Sequence, residues 1–227
     1  MTESTRRYLL KQVAALGFGA IASDKLSIAE QITDPVEWGN GDFFPGFRQL
    51  KTKTSGAVIN AVIGGKGPGL LLLHGYPQTH IMWRKIAPRL ADHFTVVVPD
   101  LRGYGDSSKP PDGENHSAYS KRAMAQDQVE LMGSLGFKKF AVVGHDRGGR
   151  VAHRMALDHG DAVERLVALD IVPTYKLYHS VTKEFATAYF HWFFLIQSAP
   201  FPETLIGNNV EFYLKNWVFN RAYHRRN

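Results

Sequence analysis

The sequence predicts an α/β protein: a mostly parallel sheet with helices on both faces, followed by a purely helical segment. Three features of the 227 residues carry this expectation. Short apolar runs alternate with segments of helical period, the pattern of successive βαβ units. The run Leu70–Leu73 is apolar at every position, as suits a strand buried on both faces. After Pro173 the strand pattern stops and aromatic residues crowd the chain, among them Tyr178, Phe185, Tyr189, Trp192 and Trp217.

In chain order, residues 23–45 are polar and broken by Pro35, Gly39, Gly41 and Pro45. Two strands are expected at Phe47–Lys53 and Ala57–Ile63, the second ending in the glycine-rich turn of residues 64–69. After the buried strand Leu70–Leu73, Ile81, Met82, Ile86 and Leu90 have helical spacing and predict a helix from Thr79 to Leu90. A strand at Thr95–Val98 precedes a helix from about Ser120 to Leu135, stopped by Gly136. The strand Phe140–Val143 runs into Gly144, the helix Gly149–Leu157 ends near Gly160, and the strand Leu166–Leu169 reaches Asp170. Residues 176–220 read as a helical insertion. The expected organisation is therefore a leader in 1–22, a core in 23–175 and a partial helical cap in 176–227.

A chain that is 44% hydrophobic can bury a substantial core. It has no cysteine, which excludes a thiol nucleophile, a Cys-ligated zinc and a disulfide scaffold. The net charge of +6 gathers at the ends, in Arg6, Arg7 and Lys11 and in Arg221, Arg225 and Arg226. Without interleaved aromatics or a binding motif, these clusters give no expectation of nucleic acid as a partner. No apolar run approaches the ~18–20 residues that span a bilayer, so no stable membrane insertion is expected. The order basic, apolar, small in Arg6-Arg7, Val13–Ala22 and Ala20-Ile21-Ala22 predicts a twin-arginine export signal and a periplasmic or exported protein, with a cytoplasmic one as the alternative.

The strongest local motif is Gly144-His145-Asp146-Arg147-Gly148, between a buried strand and a helix. The pattern G-x-S-x-G places a nucleophile on a tight strand-to-helix turn, where glycines admit close backbone approach. Aspartate here changes the chemistry. A carboxylate is already a nucleophile at neutral pH and can displace a halide or open an epoxide at an sp³ carbon, leaving an ester on the protein. Water activated by a histidine then hydrolyses that ester. The plainer alternative is that Asp146 merely caps the helix. The loop His74-Gly75-Tyr76-Pro77 ends the preceding buried strand, where this kind of turn draws an oxyanion donor. Backbone N–H groups of Tyr76 and Arg147 are the candidates, and His74 is expected to bond backbone. Asp100-Leu101-Arg102-Gly103-Tyr104-Gly105 reads as scaffold, with Asp100 and Arg102 bracing the loop.

From about Phe44 to Gly207 these motifs, together with Leu169–Tyr175 and His191-Trp192-Phe193-Phe194, resemble the haloacetate (fluoroacetate) dehalogenases of the α/β-hydrolase superfamily. The resemblance implies an α/β-hydrolase fold and hydrolysis of fluoroacetate or chloroacetate to glycolate through an ester on Asp146. It implies that Arg147 and Arg150 clamp the substrate carboxylate. Their three-residue spacing at a helix start supports that independently, since both forks can reach one anion beside the positive helix end. It further implies that His191 and Trp192 donate to the leaving halide, and that Asp170 is the acid orienting the histidine. A packed aromatic helix and a loop brace are the alternatives for these residues. The implied partners are a small halogenated carboxylate, water and a second copy of the chain joined through the cap. No cofactor and no metal is implied.

The order nucleophile, acid, histidine calls for a histidine beyond Asp170, where the sequence offers His179, His191 and His224. The first two fall in the cap and the third in a short basic tail. The expectation is a chain cut short before its last strands, exposing an apolar sheet edge, with the first half-reaction intact and turnover impaired. An epoxide hydrolase is the nearest alternative, with Tyr178, Tyr189 or Tyr213 as oxygen donors. A non-catalytic protein that binds small carboxylates is the alternative of another class.

Overall fold

The computed structural model describes residues 43–219. The export pattern of residues 1–22, the loop up to residue 42 and the tail with Arg221, His224, Arg225 and Arg226 lie outside the described residues. Two units divide between Ile171 and Val172, four residues before the boundary expected between core and cap.

In the first unit six strands form one sheet in the order β1-β2-β4-β3-β5-β6. They are β1 Arg48–Lys53, β2 Val58–Gly64, β3 Gly69–Leu73, β4 Thr95–Pro99, β5 Phe140–His145 and β6 Val163–Leu169. β1 pairs antiparallel with β2, and β2 with β4. The pairs β4–β3, β3–β5 and β5–β6 are parallel. The uniformly apolar run of β3 has a direct physical reason. Leu70 and Leu72 enter one core with Val62, Val96, Val98, Trp83 and Ala87. Leu71 and Leu73 point the other way, into a core with Val97, Val142, Met124, Leu131 and Met155. A strand covered on both sides has no solvent face to make polar.

Two long helices cover the second of these faces. We number the helices α1 Ala87–Leu90, α2 Lys121–Ser134 and α3 Arg147–Asp158 in this unit. The Ser120 hydroxyl caps α2 by accepting the Ala123 N–H at 3.1 Å. α3 starts two residues earlier than its apolar pattern indicates, because the turn before it uses Asp146 alone. The helix expected over 79–90 is broken into a 3₁₀ turn, His80–Trp83, and the short α1. Pro88 offers no N–H to the carbonyl of Arg84, so a continuous helix cannot form across it. Trp83 and Ala87 are nevertheless buried. At the sheet edge, Leu166, Val167 and Leu169 of β6 remain 37%, 46% and 40% exposed.

The second unit, described over residues 172–219, is helical throughout, as the loss of strand pattern predicts. It contains α4 Thr174–Tyr178, α5 Lys183–Ala188, α6 Phe190–Phe194, α7 Phe201–Gly207 and α8 Val210–Tyr213, which runs on into a π-helical turn. Ile206, Tyr213 and Leu214 form its small core with Phe194, Leu195 and Trp217. Among the described residues no helix is long and apolar enough to cross a membrane.

Candidate active site

Parallel strands β3, β5 and β6 all end at the same side of the sheet, and the polar motifs sit at those ends. β5 stops at His145, Asp146 alone makes the turn with φ 50° and ψ −116°, and α3 begins at Arg147. A side chain rarely adopts that conformation, so the packing around it must hold it. The flanking glycines show how. A Cβ on Gly144 would lie 2.4 Å from the Gly148 carbonyl oxygen, and one on Gly148 would lie 2.5 Å from the carbonyl oxygens of Leu73 and His74. β5, α3 and the end of β3 therefore approach backbone to backbone. The Asp146 N–H donates to the Leu169 carbonyl at 3.1 Å, tying the turn to β6.

The carboxylate does not cap α3. Its Oδ1 accepts the backbone N–H of Tyr76 at 2.9 Å. Gly75 makes this possible, since a Cβ there would meet the Asp146 Cβ at 2.6 Å. The loop is fixed from below by His74, which is fully buried. The Leu101 N–H donates to its Nε2 at 3.0 Å, so the proton sits on Nδ1, 2.9 Å from the Gly75 carbonyl. Burial holds this ring neutral, with its pKa below the ordinary histidine value.

Asp100 and Arg102 are buried away from the turn. Asp100 accepts the His80 N–H at 2.8 Å, the His80 ring Nδ1 at 2.9 Å and the Asp106 N–H at 3.0 Å. Burial works to raise its pKa, yet these contacts and the His80 charge hold it down at about 2. Arg102 grips Asp127 with two bonds of 2.5 and 2.6 Å, and Thr54 donates to the same carboxylate at 2.6 Å.

Cations gather around Asp146. Arg147 opens α3, with its guanidinium 5.7 Å above the Tyr76 ring centre, and Arg150 lies one helical turn on. Lys121, the first residue of α2, is the unforeseen member. Burial, then the charges of Arg147 and Arg150, push its pKa down to about 7, against the pull of Asp146. Burial also raises the Tyr104 phenol, which feels both Arg147 and Asp146.

Asp170 follows β6 with φ 49°, and its side chain is 81% exposed. The ring of His145 lies between two elements of the site. Its Nε2 is 4.0 Å from Asp170 Oδ2, and its Nδ1 is 3.1 Å from Gln78 Oε1, which also accepts the Gly75 N–H at 3.1 Å. Sequence reasoning assigned no role to His145, Gln78 or Lys121. The available signal for Lys121 was a cation in the first turn of a helix, where the dipole disfavours it. His191 and Trp192 belong to α6 of the second unit, in an aromatic cluster. Trp192 lies 6.1 Å from Tyr178 and 5.6 Å from Tyr189, and His191 lies 6.0 Å from Trp217, centre to centre. Among the described residues no group of three His, Asp or Glu side chains could hold a metal ion.

Comparison with known proteins bears on this arrangement. The model of the α/β-hydrolase fold family matches residues 68–222. A fluoroacetate dehalogenase of a Burkholderia species is 53% identical over 176 residues, 78% of this chain and 58% of that protein. A soluble epoxide hydrolase of a Corynebacterium species is 41% identical over 170 residues, 74% of this chain and again 58% of the relative. Among solved structures, an α/β hydrolase from a Nostoc species superposes with a TM-score of 0.72 at 63% identity, covering 74% of this chain and 58% of that one. The chain thus spans under two thirds of the length of each of these proteins.

Proposed function

The chain belongs to the α/β-hydrolase fold family, and from that premise we propose that its site hydrolyses small haloacetates through an ester on Asp146. The observation that carries this reading is the Asp146 carboxylate itself. It stands on the strained turn and accepts the Tyr76 N–H at 2.9 Å rather than capping its helix. A carboxylate so held attacks the carbon bearing the halogen: the C–O bond forms as the carbon–halogen bond breaks, and the halide leaves with the electron pair. Arg147 and Arg150 clamp the substrate carboxylate from the start of α3, where the helix dipole adds to their charge. Attack of water on the ester carbonyl then returns Asp146 and releases glycolate, with the oxyanion received by the N–H groups of Tyr76 and Arg147. As the resemblance implies, the attacking water gives its proton to a histidine oriented by Asp170, and that proton passes to the departing glycolate oxygen. The 53% identity to a fluoroacetate dehalogenase supports the reading.

Incubation with chloroacetate or fluoroacetate followed by intact-mass analysis tests it. The expected result is one added carboxymethyl group, or halide released beyond one equivalent, with neither in Asp146→Asn. A cooperatively folded protein that shows neither result refutes the reading. The 41% identical epoxide hydrolase supports a second one: opening of an epoxide by the same carboxylate. A hydroxyalkyl adduct from a simple neutral epoxide, without any from a haloacetate, would favour it.

A further inference from the structure

The loop that brings the Tyr76 N–H to Asp146 is a four-residue turn, closed where the Gln78 N–H donates to the Gly75 carbonyl at 3.0 Å. The Gln78 side chain folds back over the same turn, and its Oε1 accepts the Gly75 N–H at 3.1 Å. Gln78 thus holds both peptide units that flank Gly75, including the one whose N–H belongs to Tyr76. The Nδ1 of His145, the last residue of β5, stands 3.1 Å from the same Oε1. Because that oxygen already accepts an N–H, it is the carbonyl end of the amide, and Nδ1 must carry a proton to meet it. On the other side of the ring, Asp170 Oδ2 lies 4.0 Å from Nε2, beyond hydrogen-bond reach. Gln78, and not Asp170, therefore orients the ring and places the proton on Nδ1. A line of contacts runs from β5 through His145 and Gln78 to the turn that donates to Asp146 Oδ1 at 2.9 Å.

We propose that His145 is a positioning residue of the site: acting through Gln78, it keeps the Tyr76 N–H trained on the nucleophile. This rests on the reading of Asp146 as the nucleophile. A half-buried glutamine loses rotamer freedom when it is held in one conformation, and a single bond to a backbone N–H offsets little of that loss. The second donor, from His145, comes from a strand end fixed in the sheet and holds Oε1 over Gly75. The Tyr76 N–H in turn marks Oδ1 as the oxygen that becomes the ester carbonyl. Oδ2 then forms the bond to carbon as the halide leaves with the electron pair. Without the His145 donor Gln78 swings away, the turn loosens, and the carboxylate loses the orientation in which Oδ2 faces the substrate.

The rate of adduct formation by the full chain, read by intact mass with chloroacetate or, if only that reacts, a simple epoxide, tests the proposal. Asparagine sets its side-chain N–H near the place of Nδ1 and glutamine near that of Nε2, so the two substitutions separate the ring nitrogens. His145→Gln is expected to slow alkylation about tenfold, and His145→Asn to recover it to within about threefold of the unmodified rate. Gln78→Leu should slow alkylation at least as much, and adding His145→Gln to it should change the rate less than about threefold, because the residue through which His145 acts is gone. A purely structural role for His145 would slow the Asn and Gln variants alike and persist without Gln78. Either of those results, or a folded His145→Gln protein alkylated at the unmodified rate, overturns the proposal alone. Where His145→Gln does not fold, a folded Gln78→Leu protein alkylated at the unmodified rate overturns it. A cooperatively folded unmodified chain alkylated by neither reagent overturns the nucleophile reading, and the proposal with it.

Discussion

Gly75→Ala separates the geometry of the Asp146 site from the stability of its scaffold. The backbone at Gly75 is not in the left-handed region, so the substitution is purely a matter of space. The new Cβ would stand 2.6 Å from the Asp146 Cβ, 2.8 Å from its Oδ1 and 3.0 Å from Gln78 Oε1. Gln78 is the end of a flexible side chain and can withdraw. The Asp146 Cβ cannot withdraw as easily, because the turn is fixed by the close approach of Gly144 to Gly148 and by the bond to Leu169. Restoring ordinary contact, which begins at 3.4 Å, requires a separation of about 0.8 Å between the loop and the carboxylate. The 2.9 Å bond from the Tyr76 N–H then stretches beyond the ~3.2 Å range of a good N–H···O bond. Overpacking of this kind costs about 1–3 kcal/mol. Misplacing a nucleophile by about 1 Å slows its reaction by about 10²-fold. Urea unfolding reads the first quantity, and the rate of adduct formation with chloroacetate, followed by intact mass, reads the second. A cooperatively folded Gly75→Ala protein alkylated within about threefold of the unmodified rate would refute the argument that this N–H positions the nucleophile.

Three further outcomes are expected. Arg150→Ala should slow alkylation by chloroacetate at low concentration between about tenfold and about a hundredfold, as for one lost charged hydrogen-bond partner, while leaving alkylation by a neutral epoxide within threefold; parallel mass time courses compare the two. Asp127→Ala leaves the buried Arg102 without the carboxylate that grips it twice, and should cost about 3–5 kcal/mol in urea unfolding. Stability should fall with acidification in two stages, read as urea midpoints against pH. His74 has a depressed pKa in the fold, so the unfolded chain binds its proton first and stability declines as pH drops below the ordinary histidine value, about 6.5. Asp100, held down at about 2 from 3.8, contributes stability above 3.8 that is lost as pH falls through 2.

Most of the sheet was legible because buried parallel strands write themselves as continuous apolar runs, and β3 and β4 are of this kind. The turn at Asp146 was legible for a different reason: glycines at 144 and 148 are demanded by backbone contacts of 2.4–2.5 Å, and such demands fix residue type. The broken helix over 79–90 was misread because apolar period alone ignores the missing N–H of Pro88, the residue that decides. His145 and Lys121 stayed hidden because their placement depends on tertiary approach. The first meets Asp170 and Gln78 only when β3, β5 and β6 lie side by side, and the second feels the charge of Arg147 only when α2 packs on α3.

The two aspartates at the strand ends share a positive φ and should respond differently to relief from it. Asp146 and Asp170 have φ of 50° and 49°, where a non-glycine residue costs on the order of 1–3 kcal/mol. Glycine removes that cost at either position. At Asp170 little else is lost, because the side chain is 81% exposed and the His145 ring stands 4.0 Å away. Asp170→Gly should therefore raise the urea midpoint, while Asp170→Asn, with the same backbone demand, should leave it unchanged. At Asp146 the relief is opposed. Removing the carboxylate leaves the Tyr76 N–H without its acceptor in a half-buried site, a loss of about 1–3 kcal/mol. Asp146→Gly should then be close to neutral in stability while abolishing the adduct. The pair of midpoints discriminates between two origins of the strain. If Asp146→Gly stabilises as much as Asp170→Gly, the Tyr76 bond contributes nothing to holding the carboxylate, and the packing of the glycines alone sets the turn. If Asp170→Gly fails to stabilise, the left-handed backbone at β6 is not strained, and conformational cost is no guide to function at either aspartate.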